Sequence, residues 1–256
     1  HPTGFYKVNC INLNLDILNF FETISLSYLQ DRAPLLNRKD RKFIIPIAIL
    51  DEILTDCSKE YRILKIDNEF LFRYQTNYYD TEELKLYFDH HNGKGNRYKI
   101  RERDYVQSGL KFIEVKNKTN KDQTIKYRKE VKNRIETNDF IQNHTSLLES
   151  NLYESLNLEY TRITLLHKVK MEKVTLDLNL NFCDELNTIL YNNIVIAEVK
   201  VEQLADMEFR NIMKKYKIRA GSLSKYCLGL LSLNPKLKKN NFKMIFNQIV
   251  KMNNND

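Results

Sequence analysis

Charged and apolar residues alternate through the middle of the chain. From Tyr98 onward, the segments YKIRERDYV, LKFIEVKNK and TIKYRKEV place charge at every second position, the side-chain period of a β-strand. QSG and TNKD between them are turn-forming, so the three predict an antiparallel meander. The same alternation returns in EYTRITLLHKV, EKVTLDLNLNF and NNIVIAEVKVE, and FLFRYQTNYYDT upstream also reads as a strand. LKLYFDHHNGKGNRY carries the glycines of a turn leading into the next strand. Helical spacing appears after Pro46, at Ile47, Leu50, Ile53, Leu54 and Cys57, then over residues 204–217 and from about Asn241 to Val250. Residues 137–158 suit helix and loop, and the asparagine-rich end, 251–256, should fray.

Parity assigns the faces. Lys99, Arg101 and Arg103 share one side of their strand; Glu114, Lys116 and Lys118 oppose Ile113 and Val115; Lys126 and Arg128 repeat the spacing. Thr175, Asp177, Asn179 and Asn181 oppose Val174, Leu176, Leu178 and Leu180, while Glu198, Lys200 and Glu202 oppose Ala197, Val199 and Val201. An open sheet with one solvated face accounts for any single strand. A closed barrel with a polar interior and a helix-covered apolar exterior accounts for all of them together. On that reading the charged sides of 98–105, 111–118, 160–165, 174–182 and 194–201 face a common channel.

Composition narrows the setting. A hydrophobic content of 42% over 256 residues supports one large domain, expected over 1–250, beneath a heavily charged surface or cavity. The net charge of +8 points to anionic partners without choosing among nucleic acid, membrane surface and small polyanion. Cys10, Cys57, Cys183 and Cys227 show no metal-ligand spacing, which fits a reducing compartment. With no apolar run of membrane length and no basic-then-apolar opening, the expected location is the cytoplasm.

YYDTEELKLYFDHHNGKGNRYKIRERDYVQSGLKFIEVKNKT closely resembles the vacuolar transporter chaperone (VTC) domain of bacterial polyphosphate polymerase-like proteins. The likeness extends to LLNRKDRKFIIP as a first strand, EYTRIT and VTLDLNLNF as middle strands, and IVIAEVK with GSLSKYCLG as closing motifs, over about residues 35–240. It implies an α+β triphosphate tunnel fold: a closed antiparallel β-barrel of about eight strands with flanking helices. It also implies a divalent metal, Mn2+ or Mg2+, and ATP or another nucleoside triphosphate as the source of polyphosphate. Residue by residue, the family's catalytic cations fall on Arg101, Arg103, Lys116 and Arg162, its first-strand and late lysines on Lys42 and Lys225, and its metal-binding glutamate on Glu198. Arg41 departs from the pattern, since a small hydroxylated residue is expected there, and stands either at the tunnel mouth or on the outer face. The ExExK strand of the adenylate cyclase and thiamine triphosphatase branch is missing near the start, which argues against those activities.

The chemistry suits these residue types. Phosphoryl transfer depends on placement and electrostatics, arginine grips phosphate oxygens with a planar fork, and one carboxylate can suffice for a metal whose other ligands are phosphates. Lys99, Lys126, Arg128 and Lys200 are further candidates for phosphate contact. Glu114 either supports the metal or holds Lys116 in an ion pair, and Asp177 either binds metal through water or neutralises an arginine. His90 and His91, read as following a strand end, are assigned structural roles, and the 15 tyrosines are assigned to packing. The expected function is a polyphosphate polymerase that moves the terminal phosphate of ATP onto a phosphate chain. The alternatives are an inorganic tripolyphosphatase and a non-catalytic polyphosphate or nucleic-acid binder. No nucleic-acid partner is expected, and moving polymer across a membrane would need a separate membrane protein.

Overall fold

The computed structural model describes residues 13–32, 39–121, 123–147, 152–221 and 223–254; Cys10, the chain opening and the LLNR start of the expected first strand lie outside them. Eleven strands form one sheet: β1 (Glu22–Ile24), β2 (Lys39–Pro46), β3 (Tyr61–Leu64), β4 (Phe72–Asp80), β5 (Arg97–Tyr105), β6 (Leu110–Lys118), β7 (Thr124–Glu130), β8 (Tyr153–His167), β9 (Glu172–Cys183), β10 (Thr188–Tyr191) and β11 (Ile194–Val201). Its main path runs β2-β11-β9-β8-β4-β5-β6-β7, antiparallel at every step.

The expected closed barrel is not formed. Among the described residues β2 and β7 end the path without pairing to each other. Part of the reason lies on the β2 edge, where Ala220 bridges to Phe43 and the Gly221 N–H bonds to the Lys42 carbonyl at 3.0 Å. Those groups are no longer free to pair with another strand. β7 is exposed at every position.

The helices are α1 (Leu26–Arg32), α2 (Leu50–Glu60), α3 (Lys85–His91), α4 (Arg134–His144), α5 (Glu208–Lys215), α6 (Lys225–Leu233) and α7 (Lys243–Asn254). α2 and α5 cover the apolar outer face of β2, β11, β9 and β8, where Phe43, Ile163, Leu176 and Val199 are buried. α4 covers Ile100, Ile113 and Val115 on the outer face of β5 and β6. These are the apolar parities expected from sequence.

α6 lies on the other, concave side, against Leu156, Leu158, Leu180, Phe182, Ile194 and Ile196. A Cβ on Gly229 would come within 2.5 Å of the Phe182 ring and 2.7 Å of Leu156, so glycine lets this helix sit flush on the sheet. One end of the concavity is therefore an apolar core, and the charged residues occupy the rest. The expected glycine turn leads into β5 at residues 92–96, but α3 precedes it, so His90 and His91 lie in a last helical turn rather than after a strand. α7 carries the chain past the expected end at Val250 to Asn254.

The parity of β9 breaks at Asn179, whose φ is +51°. The register with β8 slips between Glu159 and Thr161, the mark of a β-bulge. Before the bulge Thr175 and Asp177 face inward; after it Leu180 and Phe182 do, so Asn179 and Asn181 do not continue the charged face as expected. A β-branched residue tolerates that backbone poorly. Asn179→Val should lower unfolding free energy by about 1–3 kcal/mol, measured by denaturant titration, with Asn179→Gly close to wild type.

Candidate functional site

The inner face collects the candidate cations because cross-strand partners share a side of the sheet. Lys42 pairs with Glu198, Arg162 with Asp177, Arg101 with Glu114, and Lys99 with Lys116, which in turn opposes Lys126. The sheet curls enough for its two ends to act on each other. Asp40 and Lys42 of β2 bear electrostatically on Lys116 of β6, and Lys42 also on Lys99 of β5. Arg41, of opposite parity, is exposed on the outer face, with its guanidinium 3.3 Å from the Asp40 carbonyl.

Three carboxylates organise these cations. Asp177, fully buried, accepts from Arg162 Nε and Nη2 at 2.6 and 2.9 Å and from Lys225 Nζ at 2.5 Å. Burial opposes its ionisation, but Arg162 and Lys225 outweigh it and hold the carboxyl at about 2. Lys225 reaches Asp177 from the first turn of α6, whose N-cap Ser224 accepts from the Cys227 N–H. Asp177 thus neutralises an arginine.

Glu114 is held at about 2 against its burial by Arg101, which lies 2.5 Å away, and by Arg103 and Arg128 at 3.8 and 3.9 Å. Its partners are the arginines rather than Lys116. Arg128 also sits 3.8 Å over the Phe112 ring. Glu198 lies 3.4 Å from Lys200. Despite burial, Lys200, Lys42, Lys225 and Arg162 keep it well below the usual carboxylate range.

Arg103 differs from its neighbours. It is 8% exposed, and its Nε–H has no hydrogen-bond partner among the described residues. Thr76, its cross-strand partner on β4, also has a buried hydroxyl without a partner among them. Beneath the arginines lies a row of tyrosines in which Tyr74 stacks on Tyr160 at 5.2 Å and 7°, with Tyr105 edge-on at 4.9 Å. These rings pack as expected and also lie under cations, Arg103 and Arg162 over Tyr74 and Arg162 over Tyr160. The signal was present: Tyr74 and Tyr78 share a parity in FRYQTNYYD, and Tyr160 stands two residues before Arg162.

The channel end next to α3 is crowded with positive charge. Lys99, half-buried with its ammonium over the Tyr78 ring, is lowered to about 7 by burial and by the charges of Arg101, Lys42 and Lys225. Lys116 is exposed to solvent; partial desolvation, Lys126 and Lys99 bring it to about 8. His90 is lowered to about 4, first by burial and then by Lys99, Arg97 and Lys116.

Because the folded protein depresses the Lys99 pKa, the unfolded chain binds more protons between about pH 7 and the normal lysine range, and this group makes stability rise with pH across that window. A bound phosphate would reverse the depression. At pH 8, tripolyphosphate binding should therefore take up protons, and Lys99→Met should reduce the uptake, measured by calorimetry in buffers of different ionisation enthalpy.

The carboxylates limit how a divalent metal could be held. Among the described residues no three His, Cys, Asp or Glu side chains are grouped to hold one. Asp177 and Glu114 are taken up by arginine, leaving Glu198 with its longer contact to Lys200. That set fits a hard cation that obtains most of its oxygens from a phosphate ligand.

The VTC domain family model matches residues 37–234. No curated protein sequence matches the chain. Among solved structures, a candidate adenylyl cyclase from Hippeastrum with a dominant triphosphatase activity superposes at TM-score 0.50 and 12% identity, over 78% of this chain and 96% of that one. A candidate adenylate cyclase from Bacillus halodurans gives 0.49 and 11%, covering 74% and 96%. The Hippeastrum likeness is one of fold.

Proposed function

Since the chain belongs to the VTC domain family, we propose that its cationic channel binds a chain of phosphates and transfers the terminal phosphate of ATP onto it, releasing ADP. The observation that carries this reading is Arg103: a buried guanidinium beside Arg101 and Arg162, 3.8 Å from Glu114, whose Nε–H has no hydrogen-bond partner among the described residues. A buried cation that shares one carboxylate with Arg101 and Arg128, and keeps a donor open, is suited to a further anion, and a phosphate chain supplies several oxygens to it at once.

In this reading Arg101, Arg103, Lys116 and Arg162 hold the transferred phosphate and its neighbours, while Lys42, Lys99, Lys126, Arg128, Lys200 and Lys225 extend the contact along the chain. Glu198 would hold the divalent ion, Mn2+ or Mg2+, which supplies charge neutralisation on the phosphate oxygens. The residues themselves orient the donor and acceptor and lower the repulsion between two polyanions. No side-chain nucleophile is needed, because a phosphate oxygen attacks.

The same cations would serve a tripolyphosphatase in which water attacks. The deciding experiment incubates the purified protein with ATP, manganese and a short polyphosphate primer, then separately with tripolyphosphate, following ADP, free phosphate and long polymer. ADP with matching polymer growth is the expected result. Free phosphate from tripolyphosphate without polymer would replace the transferase with the hydrolase, and no turnover of either would leave a binder. No helix among the described residues is long and apolar enough to cross a membrane. Polymer transport by a separate membrane protein remains part of the proposal.

A further inference from the structure

Arg101, Arg103 and Arg162 on the inner face are supported in two chemically different ways. Arg101 and Arg162 rest on carboxylates, Glu114 at 2.5 Å and Asp177 at 2.6 Å. Each of those pairs neutralises the cation and consumes N–H donors. The contact of Arg103 with Glu114 is 3.8 Å, beyond hydrogen-bond reach. What lies under Arg103 is the ring of Tyr74, with its centroid 5.8 Å from the guanidinium carbon; Arg162 lies 4.9 Å from the same centroid.

The register explains why one ring reaches both. Tyr74 opposes Tyr105 on β5 and Tyr160 on β8, two residues along from Arg103 on one strand and from Arg162 on the other. Both arginines are thus its diagonal neighbours. Tyr74 is itself fixed by the parallel stack on Tyr160 and the edge contact with Tyr105. An aromatic face stabilises a cation without accepting any of its in-plane hydrogen bonds.

We propose that Tyr74 is a positioning residue for phosphate recognition: its ring holds Arg103 in place while leaving the arginine's donor fork for a phosphate ligand, and it links Arg103 to Arg162 across the channel. The inference rests on the phosphate-binding reading above. It makes the face of the ring the functional part and the hydroxyl dispensable.

The test measures tripolyphosphate binding and thermal unfolding for wild type, Tyr74→Phe, Tyr74→Leu and both substitutions in an Arg103→Lys background. Tyr74→Phe should bind within about twofold of wild type, and Tyr74→Leu about tenfold or more weakly. In the Arg103→Lys background, Tyr74→Leu should cost at most about threefold, because the planar fork it serves is gone. Equal losses in both backgrounds, or a Tyr74→Phe as weak as Tyr74→Leu, would overturn the proposal. Circular dichroism spectra matching wild type identify variants that fold. If Tyr74→Leu does not, Tyr74→His, which keeps a flat ring, and Tyr74→Met, which keeps bulk without one, make the same comparison. Wild-type protein that fails to bind tripolyphosphate would instead remove the phosphate-binding reading itself.

Discussion

Glu198→Gln is expected to reduce turnover by about a thousandfold or more while leaving metal-free ATP affinity unchanged or higher. Glutamine keeps the size of the side chain and removes the negative charge proposed to hold the divalent ion. It also removes a negative charge from a wall whose net effect on a polyanion is attractive, so binding without metal should not suffer. Because Lys200, Lys42, Lys225 and Arg162 hold the carboxyl well below its usual range, it stays ionised at neutral and mildly acidic pH. Proton competition at this group should not set the acid limb of the activity profile. Turnover with and without manganese, beside ATP binding under both conditions, checks the assignment. A Glu198→Gln protein with wild-type turnover and an unchanged manganese requirement would show that the carboxylate serves only to pair with lysine.

Asp177→Asn should give the largest loss of stability among these changes. The carboxylate is fully buried and bonded to both Arg162 and Lys225, so an amide leaves two largely buried cations short of a counter-charge. Breaking a buried pair by removing one partner costs about 3–5 kcal/mol, here roughly a 10 °C fall in melting temperature. The pH dependence follows the same sign. A carboxyl held at about 2 contributes stability above the unfolded-state carboxylate pKa, and loses that contribution as pH falls towards 2. The variant should lack this part of the acid sensitivity. An Asp177→Asn protein that melts within a degree or two of wild type would mean that Arg162 and Lys225 find other support.

The strands carrying the site could be read because charge and apolar character alternate with the strand period. Lys99, Arg101 and Arg103 needed no other signal to be placed on one side, and Glu114 and Lys116 shared a face by the same parity; the structure sets them opposite Arg101 and Lys99. Asn179 could not be read in the same way. Alternation of Asp177, Asn179 and Asn181 with leucines looks regular through the bulge, and the positive φ that shifts the face leaves no mark in the pattern. α3 went unread because seven residues are too few for helical period to stand out beside the glycines that follow. α6 gave a usable sign: KYCLGLLSL is apolar on all sides, which requires burial on all sides, although not on the concave side of the sheet. Closure of a barrel depends on which edges find partners, and the Ala220 bridge to Phe43 is a tertiary event with no local signature.

Gly229 ties this packing to the electrostatics of the site. It stands one helical turn after Lys225, on a helix pressed against Phe182 and Leu156, so the missing side chain sets how deep α6 sits. The depth of the helix also sets the reach of the Lys225 ammonium to Asp177, and through Asp177 the freedom of Arg162. Lifting α6 by the width of a methyl group would act as a charge substitution made without changing any charged residue: Asp177 would be shared less with lysine and more with arginine. A glycine surrounded by hydrocarbon thus sets how one carboxylate is divided between two cations that it does not touch.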